Sequence, residues 1–113
     1  MKKIYSNIIP PAGYKAITIW PFLFIRKKAA ARFNDVDERH EYIHGEQQKE
    51  MLIVFFYLWY GIEWLIRCIQ YGNAKTAYKN ICFEREAYAN ETDVIYLDTR
   101  KHYAWFKYLR KLN

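Results

Sequence analysis

The sequence predicts an α+β domain, mostly helical, with a small N-terminal β-sheet and a succession of helices after it. Three observations predict it. Residues 14–26 are dense in β-branched and aromatic side chains, the composition of strands. From Asn34 to Gln70 the chain has no proline and only two glycines, behind a legible helix start. After Tyr71-Gly72-Asn73, a stop signal, helical spacing of apolar residues resumes. A chain of 113 residues makes one domain. So short a chain buries only about two thirds of its unfolded surface and needs large side chains in its core. At 52% hydrophobic and 19% aromatic it has them, which excludes disorder. Four glycines and three prolines exclude collagen-like and low-complexity classes. Cys68 and Cys82 are too few for a disulfide scaffold or a thiolate metal site, so a reduced, cytoplasmic setting is expected.

In chain order, Met1-Lys2-Lys3 is basic, but residues 4–9 are a short mixed stretch containing Asn7 and followed by Pro10-Pro11. They offer no secretory apolar region. Pro21 divides the strand-like stretch 14–26 in two and requires an edge, bulge or turn, because it cannot donate to a ladder. Residues 29–33 are open between continuing the sheet and leaving it. Asn34 or Asp35 is suited to cap a helix whose first turn holds Asp35, Asp37 and Glu38, favoured by the macrodipole. We expect one long helix or two consecutive ones, 36–49 and 51–70, bent near Gly45 or Gly61. A short helix is predicted over 74–80, another over 82–97, and helical spacing of aromatic and basic residues over 102–112.

The chemistry concentrates at His40-Glu41-Tyr42-Ile43-His44, the pattern His-Glu-x-x-His. On a helix, positions i and i+4 share a face, so both imidazoles aim at one point, as two ligands of one zinc ion do. Glu41 is rotated by about 100° and stands beside that point, where a carboxylate can take a proton from a metal-activated water. A shuffled chain with three histidines and eight glutamates would carry the motif about once in two hundred trials.

A catalytic zinc takes three protein ligands and keeps one open position. No further histidine follows His44 closely, so a carboxylate is the natural third donor. Glu84 and Glu86 are the candidates, and helix geometry lets only one of them face the metal. Glu84 shares its stripe with Ala77, Ile81, Ala87 and Tyr88, whereas Glu86 groups with Lys79, Asn90 and Asp93 on what reads as the wet side. A carboxylate on an apolar face is costly without a partner, which favours Glu84 and keeps Glu86 as the alternative ligand. Tyr88, Tyr78 and His102 are candidate donors to a developing oxyanion. Gln47, one turn beyond His44, is a candidate to hold a ligand or substrate.

With these residues in view, the chain resembles the gluzincin metallopeptidases, in particular minimal zincin-like forms of near 110 residues built from a small sheet, an active-site helix and a glutamate helix. The resemblance spans about residues 14–90 and rests on His40-Glu41-x-x-His44 and on Glu84-x-x-Ala87. The segment Glu84-Arg85-Glu86-Ala87-Tyr88 is also similar to one in small uncharacterised bacterial proteins. The resemblance implies Zn2+ held by His40, His44 and Glu84, with Glu41 as general base and proton shuttle in peptide-bond hydrolysis. Gluzincins commonly carry an aspartate four residues after the ligand glutamate; Tyr88 stands there instead.

Two further stretches bear on partners. Residues 51–62 carry no charge, and extension to Ile69 adds only Glu63 and Arg67. The first length is too short to span a bilayer, and the extended one places two charges within it. A core helix is expected, with membrane docking or insertion through 51–69 as the alternative. Arg100, Lys101, Lys107, Arg110 and Lys111 alternate with aromatic residues and add to a net charge of +6. No nucleic-acid motif accompanies them. The function expected is that of a zinc-dependent peptidase acting on a peptide or protein substrate. Its rivals are a non-catalytic membrane-associated protein and a structural zinc module.

Overall fold

A computed structural model describes residues 1–110. Three strands open the chain: β1 (Lys2–Ser6), β2 (Ala16–Ile19) and β3 (Phe22–Arg26). The sheet order is β1-β3-β2, with β1 parallel and β2 antiparallel to β3. Pro21 lies in the two-residue turn between β2 and β3, where no ladder donor is required. Thr18, Leu23 and Ile25 are buried, so one sheet face packs inward, and β2 runs against the first long helix. Of the mixed stretch 4–9, residues 4–6 belong to β1, where pairing to β3 satisfies the backbone, and residues 7–9 lie beyond the strand. Residues 29–33 leave the sheet, and Lys27–Arg32 forms a 3₁₀ helix.

Helix α1 (Asp35–Glu50) starts at Asn34 with a reciprocal capping box. The Asp37 amide donates to the Asn34 side chain at 2.9 Å, and the Asn34 amide donates to the Asp37 carboxylate at 3.2 Å. Helix α2 (Val54–Tyr71) follows at 110° to α1 and ends on Gly72 in the left-handed region, φ +64. The bend is at neither expected glycine. It falls between Met51 and Ile53, where Leu52 (φ +55) and Ile53 (φ +57) turn the chain. Gly45 serves packing: a Cβ there would stand 3.2 Å from the Met1 sulfur.

Asn73 caps α3 (Ala74–Lys79) by accepting from the Thr76 amide at 2.9 Å. Helix α4 (Cys82–Asn90) is shorter than the 82–97 expected, and a separate turn of helix, α5 (Tyr96–Thr99), comes after it. Local side-chain bonds compete with the helix at the break. Asn90 donates to the Tyr108 hydroxyl at 3.1 Å, and the Asp93 carboxylate accepts from the Ile95 amide at 3.2 Å. The tail forms a 3₁₀ helix, Ala104–Tyr108; Lys111 and Leu112 lie outside the described residues.

The core joins α2, α4 and the tail through Phe56, Ile81, Cys82, Phe83 and Trp105. Phe56 and Phe83 stack at 4.5 Å. Within α2, Glu63 and Arg67 are buried and pair at 3.0 Å. The Glu63 carboxylate also accepts from the Cys82 amide at 2.8 Å and the Trp59 indole at 3.0 Å, so its acceptors are used. Among the described residues no single helix is long and apolar enough to cross a membrane; only the bent pair α1 and α2 together has the length and composition.

Candidate metal centre

His40 and His44 project from one face of α1, and Glu84 projects from the first turn of α4. All three side chains are buried and offer ligand atoms within 4.8 Å of one another. The triangle is nearly regular: His40 Nε2 lies 3.1 Å and His44 Nε2 lies 3.2 Å from Glu84 Oε1, and the two Nε2 atoms are 3.2 Å apart. Tetrahedral ligation with bonds of about 2.0 to 2.1 Å places ligand atoms about 3.3 Å apart. The donor set, two imidazoles and one carboxylate, therefore fits zinc in chemistry and in spacing.

The protons support the same fit. Gln47 donates its Nε2 to Phe83 O and to Glu86 Oε1, both at 3.0 Å, which leaves its Oε1 as an acceptor. That oxygen meets His44 Nδ1 at 2.8 Å, so Nδ1 carries a hydrogen and Nε2 is the nitrogen that faces the triangle to hold a proton or a metal ion. Two imidazole nitrogens and a carboxylate oxygen converge there, an arrangement that calls for positive charge, supplied by a proton or by a metal ion. Burial works against a charged His44, but Glu84, Glu41 and Gln47 outweigh it and push its pKa up to about 9, so without a metal ion Nε2 holds a proton toward Glu84, which a bound metal ion would displace. Burial would raise Glu84, yet the two histidines hold its carboxyl well below the usual range. The site thus stabilises positive charge despite being buried.

Groups around the triangle orient it. The Tyr60 hydroxyl donates to Glu84 Oε2 at 2.6 Å. The Tyr88 ring packs edge-on against His40, centroids 4.6 Å apart. Glu91, one further turn along the Glu84 stripe, comes within 3.7 Å of His40 Nδ1. A carboxylate thus faces this histidine from seven residues beyond Glu84, while the position four beyond holds the tyrosine.

Glu41 stands beside the triangle in a cleft of about 300 Å³, lined also by His44, Glu84, Thr18, Phe56, Tyr57 and Tyr60. The Thr18 hydroxyl donates to Glu41 Oε1 at 2.9 Å. Burial raises the Glu41 pKa, and the nearby histidines and Thr18 partly oppose it. A second hollow of about 200 Å³ opens on the other side of Glu41, between His40, Tyr78, Tyr88 and Glu91.

Other sequence candidates lie elsewhere. Glu86 is fully buried, not on a wet side, and faces away from the triangle. Its carboxylate accepts from Gln47, from Tyr96 at 2.7 Å and from Arg100 Nε at 2.5 Å. Arg100 returns from fourteen residues downstream to neutralise it, a partner that helix periodicity does not reveal. His102 is exposed and lies 3.3 Å from Glu50, outside both hollows. Gln47 binds no open space; it links His44 to Glu86. Sequence reasoning missed Thr18, Tyr60 and Glu91. Only Glu91 left a signal, its seven-residue spacing from Glu84. No protein-family model, curated protein or solved structure matches this chain.

Proposed function

We propose that the protein is a zinc-dependent hydrolase acting on peptide bonds, with His40, His44 and Glu84 as the metal ligands. The observation that carries this reading is the regular triangle of two imidazole nitrogens and one carboxylate oxygen with Glu41 in the adjoining cleft. When bound, zinc supplies Lewis acidity that acidifies a water and polarises a carbonyl. Glu41 takes the proton of the attacking water and delivers it to the leaving amine. Its raised pKa suits a carboxylate that must both accept and release a proton. Thr18 fixes one oxygen of that carboxylate and leaves the other for the proton. Tyr78 borders both hollows and is the donor to the oxyanion. The two histidines are fixed from behind, His44 by Gln47 and His40 by Tyr88 and Glu91.

An extended peptide suits the cleft because β2 lines it and has a sheet neighbour, β3, on one side only. The Thr18 carbonyl on the outer edge is already taken by Gln48 and Tyr57, so the edge offers main-chain hydrogen bonds to such a ligand before Thr18, around Ala16. Tyr14, Ile17, Phe56 and Tyr57 surround it, which favours apolar side chains next to the scissile bond. The test is hydrolysis of a fluorogenic peptide library by zinc-loaded wild type and Glu41→Gln. Glu41→Gln is expected to keep its zinc and lose activity by about 10²- to 10⁴-fold. Equal activity in the two proteins would refute the assignment.

A further inference from the structure

Helix α2 is inverted relative to an ordinary surface helix. Its two charged residues, Glu63 and Arg67, are turned inward and paired. Its outward side carries Phe55, Leu58, Ile62, Leu65, Ile66 and Ile69, each between 49% and 85% exposed. At 100° per residue these six fall within an arc of about 100° and run about 21 Å along the axis. No charged side chain interrupts them, and a stripe of this extent marks an interaction surface. Tyr60, the α2 residue that reaches Glu84, points about 170° away from the centre of that arc.

The exposed charges beside the stripe are basic; Glu50, which borders its first turn, is nearly sealed and paired with Arg100. Trp59, about 70° from the centre of the arc, packs against Trp105 of the 3₁₀ helix Ala104–Tyr108, which therefore flanks the stripe. From this segment and the residues next to it come exposed Lys101, Lys107 and Arg110. Across residues 51–83 and 100–110 the only acidic residue is Glu63, which is buried.

We propose that this face of α2 docks the protein flat onto an anionic lipid bilayer surface. The basic flank complements anionic headgroups, while a second copy set antiparallel on the same face would bring the two basic flanks together. The stripe is shorter than the roughly 30 Å hydrocarbon layer, and the opposite side of α2 is committed to the core, so the helix lies in the interface and does not span it. The metal triangle lies on the far side of α2 from the lipid, which leaves its cleft open to a soluble or membrane-proximal chain. This inference is independent of the catalytic reading.

The test is flotation of the full chain with phosphatidylcholine vesicles, with and without about 30% phosphatidylglycerol. Wild type is expected to float with the anionic vesicles at least about tenfold more than with neutral ones, and less as salt rises. The double variant Leu58→Asp/Leu65→Asp should lose flotation while keeping its circular dichroism and melting temperature, since both positions are exposed. Lys101→Glu/Lys107→Glu should weaken it by about tenfold with the apolar stripe intact. Failure of wild type to float, equal flotation with neutral vesicles, or flotation of the aspartate variant would overturn the proposal. So would a solution dimer that does not float and that the aspartate variant makes monomeric, which would give the face to a second copy.

Discussion

At the scale of single residues, the site is built from groups of very different visibility. The histidine pair and its glutamate are legible because a helix places i and i+4 together whatever the rest of the fold does. Glu84 is the glutamate that faces the histidine pair, but the contrast of an apolar stripe with a wet side does not hold, since Glu86 is the more deeply buried of the two. Thr18 and Tyr60 were hidden because each comes from another element, and their approach depends on how β2 and α2 pack against α1. Tyr60 gives a specific prediction. Its hydroxyl bond to Glu84 fixes the carboxylate, so Tyr60→Phe should weaken zinc binding by about 10- to 100-fold in chelator competition. An unchanged affinity would show that Glu84 is held without it.

Elements were easier to foresee than their ends. Asn34 and the acidic first turn announced α1, and the capping box accounts for its start. Asn34→Ala should therefore cost about 1 kcal/mol in denaturant unfolding. The junction at Met51 to Ile53 carried no proline or glycine to announce it, and the same is true of the break after Asn90, where side-chain bonds intervene. The least legible device ties elements together. Arg100 pairs with Glu50 at the end of α1 at 2.9 Å and with Glu86 of α4 at 2.5 Å, and all three side chains are nearly sealed. Removing one member of a buried pair costs about 3 to 5 kcal/mol. Glu86→Ala should thus lower stability by that order and leave zinc stoichiometry intact, whereas Glu84→Ala should lose zinc at a smaller cost in stability. The reverse pattern, read by unfolding and metal analysis together, would exchange the roles of the two glutamates.

For the whole molecule, the same network sets a response to acid. Burial would raise the Glu50 carboxyl, but Arg100 and the Tyr103 amide lower it below its ordinary value of 4.5. A depressed carboxylate contributes stability that is present above its unfolded pKa and is lost as pH falls through the folded one. Melting temperature should therefore drop as pH falls below about 4.5, and less steeply in Glu50→Gln, which starts from a lower plateau. The fold class, α+β with an N-terminal sheet, was legible because strand composition and helix periodicity occupy separate parts of the chain. The outward apolar face of α2 was not, since the pattern of 51–69 equally describes a core helix until Glu63 and Arg67 are seen to be the inward side. What the molecule does rests on whether the triangle of His40, His44 and Glu84 takes a metal. The most direct measurement is zinc analysis combined with X-ray absorption on the purified chain. The account predicts one zinc per chain, with two imidazoles and oxygen ligands at about 2.0 to 2.1 Å, and loss of the metal in His44→Ala. Substoichiometric zinc, or a ligand shell without imidazole, would contradict it.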